Sequence, residues 1–464
     1  MTGESVELQM TTTLVEETTH GRPALTGSLV RTWFILLPLL YYANSGFPGA
    51  ADTASAASFS LTHQIGLLIV CVIAATFIFK RFGVVFAASL KNKLIILLPV
   101  IAVLSSLWSF YPRQSITSAI TLFCFTLFVL YLSVTYTLDG QLDLVMLSGA
   151  IAVTASIAIA ILIPSVGTLG GSWRGIFTHK QQCAAAVTLF LVTALHWKSH
   201  IRLLRFLHPF YILLCVFLIG MSQSRTGWGL AVFALVLSGT LWLLQRAPGK
   251  DALFVTFTAI PVVAALSYIF AVHSADILAL LGKDPTLSQR TVIWGTVWDA
   301  IVQRPLLGYG YEAFWQGLAG PSKDIAMIAG WPIAQAQNGY LDLMLQFGFV
   351  GIATVALMSG QAALNILRVF RRSTNPPFVR WCIVVIVCNF IYNVGESDFG
   401  YLRILWLLFV MACIGLNKEA NALKEKAREA VPEWGAALAG KSSGALSPGI
   451  STKAESQVPQ SITW

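Results

Sequence analysis

Long apolar runs alternate with short polar or charged stretches along most of the chain. A hydrocarbon core of about 30 Å requires roughly 20 apolar residues in a helix, and a helical bundle tolerates shorter runs in its interior. By this rule the pattern contains about twelve candidate membrane spans. They lie near Leu29–Tyr42, Leu61–Phe79, Leu94–Phe110, Ile116–Tyr136, Leu144–Pro164, Cys183–Trp197, Phe206–Met221, Thr226–Leu244, Ala252–Val272, Phe347–Leu367, Phe378–Val394 and Tyr401–Leu416. The pattern therefore predicts an all-α fold, a polytopic transmembrane bundle of about 12 helices.

One long segment, from His273 to Gly339, loses this continuous hydrophobicity but keeps many aromatic residues. Within it a helix is predicted from Ser288 to Gln303, with an apolar stripe on one face and Pro305 as its stop. A turn-rich aromatic segment, Pro305–Trp315, follows. Such a segment lies along the membrane interface or caps a cavity between spans, although its Trp and Tyr residues are equally typical of simple anchors at headgroup depth.

The composition divides the chain into three parts. Apolar residues make up 56% of the chain and charged residues only 11%, which excludes an ordinary soluble domain. Residues 29–416 are predicted to form the transmembrane domain, with 273–339 as its large periplasmic loop. Residues 1–28 are polar and lack the layout of a signal peptide, so they are expected to be a disordered cytoplasmic extension. Residues 417–464 end in a stretch rich in Gly, Ser, Ala and Pro and are expected to be a mostly disordered cytoplasmic tail.

The net charge of +9 is a topology signal and does not indicate nucleic acid as a partner. If the N-terminus is cytoplasmic and the spans alternate, 21 of the 30 Lys and Arg residues fall on the inner side. Cytoplasmic loops of membrane proteins carry such an excess. The outer side then holds Arg113, Arg174, Lys180, Arg225, Lys283, Arg290, Arg304, Lys323 and Arg403. Both termini are predicted to be cytoplasmic.

No motif for a metal or a cofactor stands in the sequence. The seven cysteines fall in or beside apolar runs without metal-ligand spacing. A phosphate-binding glycine loop, a Ser-His-Asp constellation and an aspartate pair for a metal-dependent sugar transferase are likewise missing. The sequence therefore predicts no metal and no cofactor, and it argues against a nucleotide sugar as a substrate.

Three arginines on the predicted outer side are the strongest candidates for binding an anion. Arg174 stands at the outer end of one span, and Arg225 occupies a short turn between two others. Arg290 opens the helix of the outer loop. A guanidinium fork suits phosphate oxygens at headgroup level. Each arginine taken singly is more simply explained by snorkelling or by a nearby carboxylate, whereas the three together favour a site for an anionic ligand.

Polar residues near the last outer turns offer further candidate chemistry. Glu396 and Asp398 can neutralise Arg403, the interpretation that the residues alone favour, or one of them can accept a proton from a sugar hydroxyl. Gln337 and Asn338 precede a membrane span and can hydrogen-bond a sugar, but neither amide is a base. The alternative is that Asn338 caps the following helix.

These motifs together resemble the bacterial O-antigen ligase and Wzy-type exopolysaccharide polymerase superfamily. The resembling region runs from about Arg174 to Trp406. It includes Trp173–Gly175, His179–Lys180, Ser224–Trp228, Arg290, Trp294, Pro305–Gly310, Asn338–Leu341 and Glu396. The resemblance implies metal-independent glycosyl transfer outside the cytoplasmic membrane, with a polyprenyl-pyrophosphate-linked glycan as donor. It also implies that Arg174, Arg225 and Arg290 are catalytic, holding the pyrophosphate and stabilising charge on the leaving group.

The chain departs from the family at one position. The family usually has a histidine where this chain has Gln337, and the last histidine of the chain is His273. A glutamine cannot take the acceptor's proton. Either Glu396 or Asp398 then supplies the base, with Glu396 the preferred catalytic proton acceptor, or the departing pyrophosphate needs little help from a base, or this member is impaired. Gln337, Asn338, Trp294 and Lys180 are expected to bind substrate.

The resemblance leaves the exact reaction open. The favoured prediction is a polymerase that joins lipid-linked oligosaccharide repeats in surface polysaccharide assembly. The alternatives are a ligase that transfers the glycan to a lipid or protein acceptor, and a transporter of lipid-linked sugars. A transporter often shows two repeated halves, and no internal repeat is visible here. The expected location is the bacterial cytoplasmic (inner) membrane, and the expected partners are the lipid bilayer, the lipid-linked glycan, and chain-length regulator and export proteins.

Overall fold

The computed structural model describes residues 29–43, 61–198, 202–246, 251, 288–330 and 333–443. Nearly all of the secondary structure is helical. The helices are α1 Leu29–Ala43, α2 Leu61–Lys80, α3 Phe82–Lys91, α4 Lys93–Ser105, α5 Pro112–Thr135, α6 Leu138–Leu162, α7 Pro164–Gly167, α8 Lys180–His196, α9 Arg202–Met221, α10 Arg225–Arg246, α11 Ser288–Gln303, α12 Lys323–Ala329, α13 Gly339–Val369, α14 Pro376–Gly395 and α15 Ile404–Ser443. A two-stranded antiparallel hairpin, β1 Thr168–Leu169 and β2 Ser172–Trp173, pairs Thr168 with Trp173.

The described helices confirm a polytopic all-α membrane protein. Seven of them, α5, α6, α9, α10, α13, α14 and α15, are long and apolar enough to cross a membrane. Of the other described helices that coincide with predicted spans, α2 is followed by a sharp bend into α3, and α1, α4 and α8 are short. The predicted span 252–272 lies outside the described residues. The total of about twelve spans therefore stays a prediction.

The segment between the second and third predicted spans is helical, where the sequence predicted a loop. Helix α3 follows α2 with a bend of 92° and is too short to span the bilayer. Phe82, Phe86 and Leu90 are exposed along one side of α3, while Val85 and Ala88 are buried. An apolar stripe at helical spacing beside exposed lysines is typical of a helix that lies in the plane of the interface.

The connecting segments gather at two ends of the bundle. We call one the loop end, formed by residues 106–111, 163–179, 222–224, 304–330, 333–338 and 396–403. Hydrogen bonds join these segments, for example from the Trp108 indole to the Leu307 carbonyl at 3.1 Å and from the Tyr311 hydroxyl to the Gly400 carbonyl at 2.7 Å. The opposite end carries Lys418, whose ammonium group donates to the Ser133 carbonyl at 3.1 Å. The segments predicted to be outside and inside thus separate to opposite ends, while the orientation in the membrane remains a prediction.

Helix α13 is broken where a loop inserts into it. Gly348 has φ 61° and ψ −154°, which interrupts the helix. Residues 305–310 fill the gap: Phe349 donates to the Pro305 carbonyl at 2.8 Å, and Tyr309 donates to the Leu345 carbonyl at 2.8 Å. These bonds satisfy backbone groups that the break releases from the helix. The helix starts at Gly339, eight residues before the predicted span, because Asn338 caps it there. The break at Gly348 divides this helix into two parts.

Helix α11 has its predicted bounds, whereas helix α15 extends beyond the predicted span. Helix α11 has the predicted bounds, Ser288 to Gln303, and Pro305 follows it. Helix α15 is the buried centre of the bundle, with Trp406, Leu407 and Leu408 almost fully enclosed. It continues to Ser443, so residues 417–443 extend the last helix instead of beginning a disordered tail. The Ala, Glu and Lys residues after Asn417 are strong helix formers, which explains the continuation.

Candidate active site at the loop end

Arg174 is held in place by main-chain oxygens of its own loop. Its side chain is only 4% exposed. The Nε atom donates to the Val166 carbonyl at 2.9 Å, and Nη1 donates to the Thr178 carbonyl at 3.3 Å. The next residue, Gly175, has a positive φ, and a Cβ there would lie 2.2 Å from the Ser156 Cβ. The β-hairpin and the close approach to α6 therefore fix the position of the Arg174 guanidinium.

Lys180 and the turn before Arg225 lie against the same hairpin. The Ser172 hydroxyl donates to the Gln223 side-chain oxygen at 3.2 Å, and the Lys180 ammonium group donates to the Ser172 hydroxyl at 3.5 Å. Gln223 has φ 48°, which is unfavourable for a residue with a side chain and is found mostly at functional sites. The structure thus brings Arg174, Lys180 and the start of α10 together. The Arg290 side chain lies outside the described part of the chain.

The Gln337–Asn338 turn packs on the last outer loop. The Asn338 side chain accepts from the Tyr340 and Leu341 amides at 3.0 and 3.2 Å, which confirms its capping role. The Asn338 amide donates to the Ser397 hydroxyl at 3.1 Å, and the Gly339 amide donates to the Glu396 carbonyl at 2.9 Å. Gln337 is a second non-glycine residue with a left-handed backbone, φ 52°.

Trp294 supports this turn from α11. Its indole donates to the Ala336 carbonyl at 2.9 Å. The Ala336 amide in turn donates to Asp342 at 3.1 Å, and the Trp315 indole donates to Asp342 at 2.7 Å. Asp342 is fully buried. These bonds place Trp294 behind the turn, where it sets the turn's position.

Arg403 is the centre of a polar cluster, which we call the Arg403 cluster: Glu312, Asp342, Asp398, Tyr401 and Arg403. The guanidinium donates to the Ser397 carbonyl and, at 3.4 Å, to the Gln335 side chain, and it lies 4.9 Å from the centre of the Tyr401 ring. Among the described residues its guanidinium donates to uncharged oxygens, so the carboxylates act on Arg403 through their charge and not through direct ion pairs.

Gln182 connects the Arg403 cluster to the Arg174 loop. With the Gln182 amide oxygen facing Arg403, it accepts from Nε at 3.2 Å and from Nη2 at 3.3 Å, while the amide nitrogen donates to the Thr178 hydroxyl. The Thr178 carbonyl is the one that accepts from Arg174. Hydrogen bonds through Thr178 and Gln182 therefore connect a cationic side, with Arg174 and Lys180, to Arg403 and to an acidic side, with Glu312 and Asp398.

Burial changes the acidity of the carboxyl groups on the acidic side. Burial raises the pKa of Asp398 to about 7, although the charge of Arg403 opposes this. Asp398 is 1% exposed, and its Oδ2 atom has no hydrogen-bond partner among the described residues. Burial also raises the pKa of Glu312, against the lowering effects of the Ser118 hydrogen bond and Arg403. Glu396, the expected proton acceptor, is 5% exposed.

The structure groups the predicted residues and adds others that sequence reasoning missed. Gln182, Glu312 and Asp342 were not predicted, and Arg403 was predicted only as a partner for acids. The sequence offers a signal only for Gln182, which follows Lys180 by two residues. Among the described residues, no group of three or more His, Cys, Asp or Glu side chains is arranged to hold a metal ion. A shallow depression of about 330 Å³ around Trp108 and Leu306 is apolar and lies apart from these polar groups.

Comparison with known proteins gives a family match over part of the chain. Residues 210–356 match the sequence profile of the family described as O-antigen ligase. The exopolysaccharide production protein ExoQ of Rhizobium meliloti (strain 1021) is 29% identical over 154 residues, which is 32% of this chain. The match spans about a third of that relative's length, 35%. Over this segment, about a third of the chain, the protein is similar to the O-antigen ligase and Wzy-type polymerase superfamily, and its long apolar helices are those of a multi-pass membrane protein.

Proposed function

We propose that the protein is a glycosyltransferase of bacterial surface polysaccharide assembly. In this proposal it joins polyprenyl-pyrophosphate-linked oligosaccharide repeats at the outer face of the cytoplasmic membrane, without a metal. The observation that carries the proposal is the pairing at the loop end of a cationic side, built on Arg174, Lys180 and the start of α10, with an acidic side around Arg403.

The two sides suit the two halves of a glycosyl transfer. The acceptor hydroxyl oxygen forms a bond to the anomeric carbon of the donor glycan, and the bond from that carbon to the pyrophosphate oxygen breaks. The electron pair stays on the pyrophosphate, whose growing negative charge is stabilised by Arg174, Arg225 and Arg290. The proton of the acceptor hydroxyl leaves toward a carboxylate on the acidic side.

Two non-glycine residues with a left-handed backbone conformation give this assignment further support. Gln223 and Gln337 adopt a strained backbone next to Arg225 and Asn338, and strained residues of this kind cluster at active sites and ligand clamps. Gln337 and Asn338 are proposed to orient the acceptor sugar. Asn338 does so through the turn that it caps, because its side-chain oxygen already accepts two main-chain amides.

Transfer from a lipid-linked oligosaccharide donor by the purified protein in lipid vesicles tests the proposal. A polymerase gives a ladder of products that grow by one repeat. A ligase, which the family description favours as the second candidate, gives a product only when a separate lipid or protein acceptor is added. Arg174→Ala and Arg225→Ala should lower the rate, whereas Arg371→Ala at the opposite end is the matched control. Movement of intact donor across the vesicle with no new glycosidic bond would refute glycosyl transfer.

A further inference from the structure

The proton acceptor must touch the acceptor sugar, and burial separates the candidates. Four carboxylates lie near the Gln337 turn and Arg403: Glu312, Asp342, Glu396 and Asp398. Asp342 is 0%, Glu396 5% and Asp398 1% exposed. Asp342 is also engaged by the Trp315 indole and the Ala336 amide. Of the four residues, Glu312 alone is partly exposed, so it is the candidate that a substrate can reach with the least rearrangement.

Glu312 is held in a fixed, strained position by polar side chains of two helices. Its φ of 52° is in the left-handed region. The Gln114 side chain of α5 donates to the Glu312 carbonyl at 2.9 Å, and the Glu312 amide donates to the Gln346 side chain at 3.3 Å. Gln346 lies in α13 two residues before the break at Gly348, where the loop 305–310 inserts. The main chain of Glu312 is thus tied to the broken helix and to α5.

The carboxylate of Glu312 has one oxygen engaged and one available. The Ser118 hydroxyl donates to Oε2 at 2.6 Å, and no donor among the described residues contacts Oε1. Arg403 and Tyr401 are the charged and titratable groups that act on it, and Tyr401 is in turn influenced by Asp342 and Asp398. A second unsatisfied group lies beside it, since the buried Gln346 Nε2 atom has no hydrogen-bond partner among the described residues. Oε1 can therefore accept from a substrate hydroxyl, and Gln346 Nε2 is a further donor next to the Glu312 main chain.

We propose that Glu312, and not Glu396, is the catalytic base that takes the proton of the acceptor hydroxyl, a role that rests on the proposed glycosyl transfer. As the acceptor oxygen bonds to the anomeric carbon and the pyrophosphate leaves with its electron pair, the hydroxyl proton moves to Glu312 Oε1. Ser118 and Gln346 are positioning residues, which hold the carboxylate and the sugar oxygen. Glu312, which follows the inserted loop 305–310, thus supplies the base that Gln337 cannot supply.

The acidity of Glu312 suits this role. A catalytic base is most effective when its pKa lies close to the working pH, and burial moves the pKa of Glu312 upward in that direction. The carboxylate form is the active form. The rate should therefore rise with pH through the Glu312 pKa, and the acidic limb of the pH profile should belong to this residue.

The test compares Glu312→Gln, Glu396→Gln and the exposed control Asp324→Asn across pH, with donor binding measured separately. General-base help is worth about 10²- to 10⁴-fold. Glu312→Gln should lose about that much in kcat and lose the acidic limb, while donor binding stays unchanged. Glu396→Gln and Asp324→Asn should keep the limb. Glutamine can still accept from Ser118, and melting in detergent checks that the variants fold.

A second variant tests the same assignment if Glu312→Gln does not fold. Since the Ser118 hydrogen bond lowers the Glu312 pKa, Ser118→Ala should raise that pKa and move the acidic limb to higher pH. The proposal is overturned if Glu312→Gln keeps the wild-type rate, if it loses rate but keeps the acidic limb, or if Ser118→Ala leaves the limb in place. A wild-type protein that binds donor yet transfers no glycan would instead refute the proposed function itself.

Discussion

Gly348 is the residue at which a single methyl group tests how the broken helix α13 is held. A Cβ added at Gly348 would lie 2.3 Å from the Leu306 carbonyl carbon and 2.4 Å from its oxygen. The backbone itself, at φ 61° and ψ −154°, is accessible essentially to glycine alone. Alanine at Gly348 must therefore either strain the backbone or displace the inserted loop.

The magnitude follows from these two effects. A residue with a side chain in this backbone region costs about 1–3 kcal/mol, and extra atoms in a packed site cost a further ~1–3 kcal/mol. We expect Gly348→Ala to lower the free energy of unfolding by about 2–6 kcal/mol, a large share of the ~5–15 kcal/mol of a typical protein. Because Glu312 is tied to Gln346 beside the break, transfer activity should fall as well.

The assay is reversible unfolding in mixed micelles of mild detergent and SDS, with Gly360→Ala as the matched control. Gly360 lies in the same helix, and a Cβ there meets nothing within 4 Å. Alanine at Gly360 should be neutral or stabilise by up to about 1 kcal/mol, since glycine is unfavourable inside a helix. If Gly348→Ala is as stable as Gly360→Ala, the inserted loop does not depend on the glycine and the reasoning fails.

Three further predictions concern the charges and the topology. Arg174→Ala should cost about 1.5–3 kcal/mol of transition-state stabilisation, hence about 10- to 150-fold in transfer rate. Arg174→Lys should restore only part of this rate because the guanidinium fork is lost. Full activity of the alanine variant in a folded protein would contradict this prediction. Because burial raises the pKa of Asp398 from 3.8 to about 7 in the folded protein, its contribution to stability should be fully present below about pH 4 and be lost as the pH rises to about 7. Asp398→Asn should weaken this dependence, as measured by unfolding at each pH, and an identical pH dependence would refute the assignment. Cysteines at Lys323 and Arg372 should be labelled from opposite sides of the membrane by an impermeant reagent, and labelling from one side would refute the topology.

Part of the candidate site could be predicted from short stretches of the sequence. The capping role of Asn338 and the bounds of α11 follow from residues a few positions apart, so the sequence could indicate both. Arg174 and Lys180 were found because cations are scarce on the outer side. Glu312 could not be singled out in this way, since a glutamate in an aromatic loop shows neither its burial nor its partners.

The sequence by itself determined the class of the protein. Apolar runs of roughly 20 residues are expected to cross the membrane as helices, since unpaired backbone groups are too costly in lipid. The uneven distribution of Lys and Arg predicts which end of the bundle faces the cytoplasm. Both are properties of the chain that hold whatever the helices pack against.

Only the tertiary structure decided how the loop end is assembled. The loop 305–310 fills the break at Gly348, Gln114 and Ser118 hold Glu312 from almost 200 positions away, and Gln182 reaches Arg403 across the bundle. These contacts depend on the packing of α5, α8, α13 and α15, in which each polar group finds whichever partner the neighbouring helices bring close. Since hydrogen bonds act over about 3 Å, no periodicity along the chain can indicate such partners before the helices are packed.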